Sequence, residues 1–510
     1  MDTKLLEAAR AAFPANLPGI TLGAVVHEGA CDPEPLIRLP LGMANRHGLI
    51  AGATGTGKTK TLQLMAEQLS AAGVPVFVAD IKGDASGLGA PGEANDKVTQ
   101  RAKDTGFAWK PAAAPIELLS LTGRHGAQMR ATVSSFGPLL LSKVLGLNDT
   151  QSSVLALVFQ YCDDRKLLLL DFADLRAVLQ HLTGEGAADL KDYGGMSKAS
   201  VGVLLREMVE LEQQGAKIFF GEPEFDLEDL LRVEGGRGVV SVLELSDVQD
   251  KPEAFSTFMM WMLARLYHDL PEVGDPDKPK LVFFFDEAHL LFHGASKAFL
   301  DQVEQVVRLV RSKGVGVFFI TQSPRDIPAN ILGQLGNRVQ HALRAFTPDD
   351  ETALQSAART YPKTPFYDIA ATLTSLGIGE ALVTTLTASG TPTPPFVTRM
   401  VPPASRMGPL TEAEFAQKTG ASAEVAKYAE AVDRESARES LAGAQGPVPA
   451  ASPATSPGSA TPRSAGRAPK PEPSALEEIL KSPVTRTIAG QLTRGLLGAL
   501  LGPPPRRRRY

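Results

Sequence analysis

The stretch Gly52-Ala53-Thr54-Gly55-Thr56-Gly57-Lys58-Thr59 constrains this chain more than any other. It fits G-x-x-x-x-G-K-[ST], a loop that joins a strand to a helix and cradles phosphate. The glycines permit a tight turn that aims backbone N–H groups at phosphate oxygens. The helix that begins there adds its positive dipole end. Lys58 has the reach for β- and γ-phosphates, and the Thr59 hydroxyl suits a Mg2+ ion bound to them. The flanks agree: Leu49-Ile50-Ala51 is a short apolar run, and Leu62, Met65, Ala66 and Leu69 follow at helical spacing.

A length of 510 residues suggests two or three domains around a core that needs no staples. Cys31 and Cys162 are the only cysteines, which excludes a disulfide framework or a cysteine metal cluster and suits a reducing compartment. No apolar run approaches the roughly 20 residues needed to span a bilayer. The opening MDTKLLEAARAAFP lacks the order of a signal peptide, so a cytoplasmic protein is expected. The net charge of −5 gives no overall basic field. Any contact with nucleic acid is therefore expected from local patches or a pore.

Taken in order, residues 1–40 read as a lead-in, with a strand over 20–26 and loop over 35–40. Residues 41–128 read as the first part of an ATPase core. The phosphate-loop helix ends near Gly73, and Val74-Pro75-Val76-Phe77-Val78-Ala79 has the near-continuous apolarity of a parallel strand buried on both faces. That strand ends in Asp80-Ile81-Lys82-Gly83-Asp84. Strand, helix and strand make one right-handed crossover. Function in such sheets gathers at the carboxyl ends of strands, which puts Asp80 beside the phosphate loop. Residues 129–237 read as a mainly helical insertion, with apolar stripes over 139–141, 154–159, 167–179 and 201–211. Residues 238–408 read as the second part of the core, beginning with a strand over 239–245.

Leu281-Val282-Phe283-Phe284-Phe285-Asp286-Glu287 is the second anchor. Five apolar residues followed by two acids make a Walker B strand. Asp286 would hold the water shell of Mg2+ opposite Thr59, and Glu287 would polarise the water that attacks the γ-phosphate. A helix is expected over 295–313, with Phe299, Val303, Val306, Val307 and Val310 on its apolar face and Gly314 as its cap. The next buried strand, 315–321, delivers Gln322 at its carboxyl end, where an amide can sense the γ-phosphate or orient water. A helix and strand are expected over 327–335 and 337–344. A hairpin closes the core, with Leu382-Val383 and Phe396-Val397 on either side of Gly390.

A helical extension is expected over 409–442. Residues 443–475, rich in Ala, Pro, Gly and Ser, read as a disordered linker. Residues 476–510 read as an amphipathic helix with Val484, Ile488, Leu492 and Leu496 four apart and a basic end at Arg506-Arg507-Arg508-Arg509. Its apolar stripe suits docking on the parent domain or a neighbouring subunit, with a membrane surface as the alternative.

The stretches GMANRHGLIAGATGTGKT, FVADIKGD, KPKLVFFFDEAHLLF, VEQVVRLVRSKGVGVFFITQSPRDIP and LGQLGNRVQHALRAFTPDD resemble the YjgR-like bacterial proteins. These are HerA-like ATPases of the HerA–FtsK superfamily. The resemblance runs from about residue 18 to 408. It implies an α/β fold of the RecA-like, additional-strand class and hexameric rings with ATP sites at subunit interfaces. It places Lys58 and Thr59 in Walker A, Asp286 and Glu287 in Walker B, Gln322 at the sensor position and Asp80 in the site. Arg311 matches the basic residue at the end of the helix before the sensor strand. Arg46, just ahead of the phosphate-loop strand, matches an arginine that reaches a neighbour's nucleotide. Arg338 and Arg344 are further candidates for that finger. HerA proper carries an N-terminal β-barrel that meets a nuclease. The stretch ahead of Gly52 is too short for it, so a nuclease partner is not expected to carry over.

ATP and Mg2+ are thus the expected substrate and cofactor. The expected activity is that of an ATP-hydrolysing ring motor on DNA or RNA. The alternatives are an ATPase that drives protein handling or secretion at a membrane-associated machine, and a slow nucleotide-dependent switch. Intact Lys58, Asp286 and Glu287 weigh against an inactive binder. An Asp-Glu pair followed by a Gln weighs against a small-molecule kinase.

Overall fold

The computed structural model describes residues 2–444 apart from 293–296, 431 and 433. The linker expected over 443–475 and the amphipathic helix over 476–510 lie outside the described residues, except for the end of the helix Ala437–Ala444. A single sheet of twelve strands organises the rest. In chain order these are β1 (Gly19–His27), β2 (Ala30–Pro40), β3 (Gly48–Ala51), β4 (Val76–Asp80), β5 (Ile116–Ser120) and β6 (Ala127–Gln128). They continue with β7 (Val240–Glu244), β8 (Leu281–Phe285), β9 (Val315–Thr321), β10 (Asn337–His341), β11 (Glu380–Thr384) and β12 (Phe396–Met400).

The strand order is β2-β1-β12-β11-β10-β3-β9-β8-β4-β7-β5-β6. From β10 to β6 every pairing is parallel. From β10 to β2 every pairing is antiparallel. Strand β9 stands between the phosphate-loop strand β3 and the acidic strand β8, which is the additional strand of this fold class. Alternation along the strands builds two core layers. Phe283, Phe285 and Phe319 face one layer with Phe258 and Trp261 of the helix Pro252–Asp269. Val282, Phe284, Phe318 and Ile320 face the other, with Leu62, Met65 and Leu69 of the helix Lys58–Ala71. Every residue of β8 is fully buried, as a strand covered on both faces must be.

Helices Val133–Val144, Asp149–Arg165, Phe172–Thr183 and Lys198–Gln213 fill the stretch between β6 and β7 and share the first core layer. Residues 412–429 add two helices. Tyr428 fixes the end of this stretch: its hydroxyl donates to Asp229 (2.7 Å) and accepts the Asp226 amide (2.9 Å). Among the described residues no helix is long and apolar enough to cross a membrane.

The first forty residues are not a lead-in. Asp2 caps the helix Thr3–Ala12, and β1 and β2 extend the sheet as a hairpin. The expected loop over 35–40 is the end of β2. Its prolines point to loop in the sequence, but β2 is the outermost strand, where a missing N–H costs no ladder bond. Two register shifts in the hairpin absorb the remaining misfit.

His47, in the turn between Arg46 and β3, ties two central strands together. Its Nδ1 accepts the Val317 amide at 3.0 Å. Burial pushes its pKa down to about 4, with Arg311 and Arg46 adding to the effect. His341 on β10 is pushed down to about 4 in the same way. An unfolded histidine takes up its proton near pH 6.5, and the folded one does not until about 4. The unfolded state therefore gains protons first as pH falls. Stability should be lost between pH 6.5 and 4, by about 1.4 kcal/mol per unit for each such group. Urea unfolding at about pH 5 should show about 2 kcal/mol less stability than at pH 7.5 on account of His47, and His47→Gln should remove that share.

Candidate active site

Beyond Ala51 the chain turns through the phosphate loop into the helix Lys58–Ala71. Two backbone bonds hold the turn from both sides. The Gly52 amide donates to Thr321 O on β9 (3.3 Å), and the Ala53 amide donates to Ala342 O just past β10 (2.9 Å). Gly52 has φ 154°, and a Cβ there would lie 2.5 Å from His341 Cβ. Gly57 has φ 115° at the start of the helix. Only glycine suits both positions. Behind the loop, Thr61 Oγ1 meets His341 Nε2 at 2.8 Å, and His341 Nδ1 lies 2.8 Å from Glu380 O.

Lys58 lies back over the loop, where Nζ donates to Gly52 O (2.7 Å) and Ala53 O (3.2 Å). Burial lowers its pKa, and the Glu287 carboxylate opposes that shift. Thr59 follows on the first helical turn. The acids come from β4 and β8, which are adjacent and parallel. Asp286 Oδ1 accepts the Glu287 amide at 3.0 Å. Burial pushes Asp286 up to about 6; Glu287 and Asp80 push the same way, while Lys82 opposes them. Glu287 has φ 47°, a left-handed conformation that costs energy in a non-glycine residue. The next residue is pinned where Ala288 N–H donates to Ile320 O (2.8 Å).

The Glu287 carboxylate is paired with Lys82 through Oε1, and His289 Nδ1 lies 3.2 Å from Oε2. Asp80 does not meet Glu287 directly. Its carboxylate accepts the amides of Lys82 (3.1 Å), Gly83 (2.9 Å) and Ala85 (2.6 Å). It therefore shapes the loop that carries Lys82 to Glu287. Glu244, level with Asp80 on β7, is pushed up to about 8 by burial and by the charges of Asp80, Asp247 and Asp84.

The structure divides the remaining candidates between two ends of the sheet. Gln322 and Arg344 follow the carboxyl ends of β9 and β10, and line a cavity of about 740 Å3 with Ala53 and Thr54 of the phosphate loop. Arg46 and Arg311 precede the amino ends of β3 and β9 and lie 2.7 and 3.7 Å from Asp275 Oδ1. Arg338, the second residue of β10, stands at that same end and donates to the carbonyls of Leu332, Leu335 and Thr360.

A Mg2+–nucleotide fits these groups. The glycine positions leave room that a Cβ would fill, and the lysine amine is bonded to the loop's own carbonyls. Among the described residues no group of three or more His, Cys, Asp or Glu is placed to hold a metal. Mg2+ takes one or two protein ligands and draws the rest from phosphates and water. Thr59 and Asp286 would supply them.

Fold and site together define a P-loop ATPase of the RecA-like, additional-strand class. Residues 27–509 match the family model described as helicase HerA-like, C-terminal, and the chain belongs to that family. The chain is 32% identical over 110 residues to "Probable helicase MJ1565" of Methanocaldococcus jannaschii. That match covers 21% of this chain and 20% of the relative. Among solved structures, the bacterial conjugative coupling protein TrwBdeltaN70 aligns at 14% identity and TM-score 0.49, over 79% of this chain and 94% of its own. VirB4 of Thermoanaerobacter pseudethanolicus aligns at 13% and 0.45, over 75% and 96%.

Lys82, His289 and His341 escaped the sequence reading. Lys82 and His289 stand within motifs already singled out, two residues after Asp80 and after Glu287. Residue type alone gave them no role. His341 reaches the phosphate loop only through strand pairing, which leaves no local signal.

Asp80→Ala would strand three loop amides. It is expected to cost about 2 kcal/mol in urea unfolding and to lower ATP turnover by displacing Lys82. Unchanged stability would show that the loop does not depend on that carboxylate.

Proposed function

We propose that this ATPase is a ring motor on nucleic acid whose ATP sites are each completed by a neighbouring subunit. The observation that carries the reading is the separation of charges along the sheet. Lys58, Asp286 and Glu287 stand at the carboxyl end, while Arg46 and Arg311 stand at the amino end of β3 and β9. An arginine at that end serves catalysis only from the next subunit, and a finger of this kind is worth about 10³ or more in rate. The family's description as helicase-like supports nucleic acid as the cargo.

In this mechanism the phosphate loop and Lys58 Nζ hold the β- and γ-phosphates. Thr59 and Asp286 would hold Mg2+, which would neutralise charge on the phosphate oxygens. Glu287 takes a proton from water as the water oxygen bonds to the γ-phosphorus. The bond from that phosphorus to the β,γ-bridging oxygen breaks, and ADP leaves with its electron pair. Lys82 must release Glu287 for this step, because a carboxylate shared with an ammonium is a poorer base. Gln322 orients the water, and the neighbour's Arg46 meets the charge that develops on the γ-phosphate.

Lys58→Ala should abolish ATP turnover. Glu287→Gln should lower it by about 10² to 10⁴ while leaving ATP bound. Wild-type turnover should rise with DNA or RNA over a range of salt. A rate indifferent to every nucleic acid offered would favour a protein cargo instead.

Arg46→Ala should lower kcat by about 10³. Mixing it with Lys58→Ala protein should restore part of the activity, because some interfaces then pair an intact phosphate loop with an intact arginine. A mixture no faster than the sum of its parts would place Arg46 outside the site.

A further inference from the structure

The carboxylate that would activate water is not free in this site. Glu287 Oε1 is paired with Lys82 Nζ. Its Oε2 lies 3.2 Å from His289 Nδ1, is sealed from solvent and has no hydrogen-bond donor among the described residues. The backbone beneath it is strained, with φ 47° at Glu287. A carboxylate shared with an ammonium is a base at rest.

Lys82 can move while its loop stays in place. Gln249 Nε2 donates to Ile81 O (2.5 Å) just before it. Asp80 accepts the amides of Lys82, Gly83 and Ala85. The backbone is therefore pinned on both sides of the lysine. Its side chain is 41% exposed, so the four-carbon stem can swing by rotamer changes alone. Burial pulls the Lys82 pKa down, but the bond to Glu287 and the charges of Asp286 and Asp84 more than offset that, and the amine stays charged. Burial also lowers the Lys58 pKa; Glu287 opposes that shift and Lys82 adds to it. Lys58 and Lys82 thus face one space from two loops. The first is held by the phosphate loop's own carbonyls and the second by Glu287.

Glu287 acts on water at the γ-phosphate, so an amine paired with it stands nearer the γ- than the β-phosphate. A terminal phosphate offers three acceptor oxygens and about two negative charges, against the single charge of a carboxylate. We propose that Lys82 is a γ-phosphate-dependent switch: ATP draws its ammonium from the Glu287 carboxylate to the terminal phosphate oxygens, which frees the base only when there is a γ-phosphate to cleave. ADP leaves the pair closed. Lys82 is then a catalytic residue that restrains the base in the empty site and meets phosphate charge in the filled one. The proposal rests on the ATPase reading of the site and adds the event that arms its base.

The test is a double-mutant cycle on the full chain with Glu287→Gln, Lys82→Met and the pair. It is read by the affinities for ADP and for the β,γ-imido analogue of ATP, both with Mg2+. Glu287→Gln should bind the ATP analogue about tenfold more tightly than wild type, because Lys82 no longer has to leave a carboxylate. In the Lys82→Met background the same substitution should change that affinity by less than about twofold. ADP affinity should stay within about twofold throughout. Lys82→Met alone should lower kcat for ATP about tenfold or more. Lys82 is exposed on its loop, so its substitution leaves the core intact. A gain from Glu287→Gln that is as large without Lys82 overturns the proposal, because it then reflects only the loss of a negative charge beside the phosphates. Faster turnover in Lys82→Met also overturns it, since the lysine would then restrain the base and do nothing for the phosphate. A loss of ADP affinity in Lys82→Met overturns it too, because the lysine would then serve phosphates common to both nucleotides. A wild-type chain without ATP turnover overturns the ATPase reading first; turnover with a Glu287→Gln gain independent of Lys82 overturns this proposal alone.

Discussion

The bonds from Gly52 to Thr321 and from Ala53 to Ala342 suspend the phosphate loop between two strands. Each is worth only about 1 kcal/mol net. Their importance lies in register. They form only because β9 and β10 run parallel to β3 with Thr321 and Gln340 level with Ala51. The same alignment continues outward. Phe285 is level with Phe319 on one side and Ala79 on the other, and Asp80 with Glu244. The residues that follow Phe285 and Ala79, namely Asp286 and Asp80, are thereby delivered to one edge. A slip of one residue in any of these strands would exchange the side chains it presents to the two core layers and withdraw its functional residue at once.

Bringing so many acids to one buried edge has an electrostatic cost, which the structure meets in three ways. Glu244 has its pKa pushed up to about 8 and so carries its proton at neutral pH. Asp80 spreads its charge over three loop amides. Lys58 and Lys82 supply positive charge close to Asp286 and Glu287. The arrangement also explains the loop geometry at Asp80: the carboxylate that needs solvation folds the chain that presents the balancing lysine. Solvation of one acid and neutralisation of another are thus a single local structure.

Much of this could be read from the sequence because it is local. The phosphate loop, the apolar run ending in Asp286 and Glu287, and the strand before Gln322 each combine a period with a terminus. Parallel strands buried on both faces announce themselves as unbroken apolar runs, as β4, β8 and β9 do. The hairpin β1–β2 did not, because Pro33, Pro35 and Pro40 signal loop unless the strand is known to lie at an edge, and edges are set by topology. The clamp of Arg101 on Gly379 joins residues far apart in sequence, so no window of the chain contains it. Lys82 illustrates a third case, in which the motif was visible but its partner across the strand gap was not.

Strand β3 spans only Gly48–Ala51, about 13 Å at the usual rise. It is buried throughout and flanked on both sides, so it transmits displacement as a rigid rod. Its carboxyl end carries the phosphate loop, and its amino end follows His47 and Arg46. His47 itself is bonded to Val317 of β9, the strand that ends at Gln322. A shift at the phosphate loop would reach Arg46 through this strand and the turn at His47. In the proposed ring, that couples the nucleotide state of one subunit to the arginine it offers the next. Sequential firing around the ring would then need no moving part beyond the sheet itself, because both halves of consecutive sites are built on the ends of one short strand.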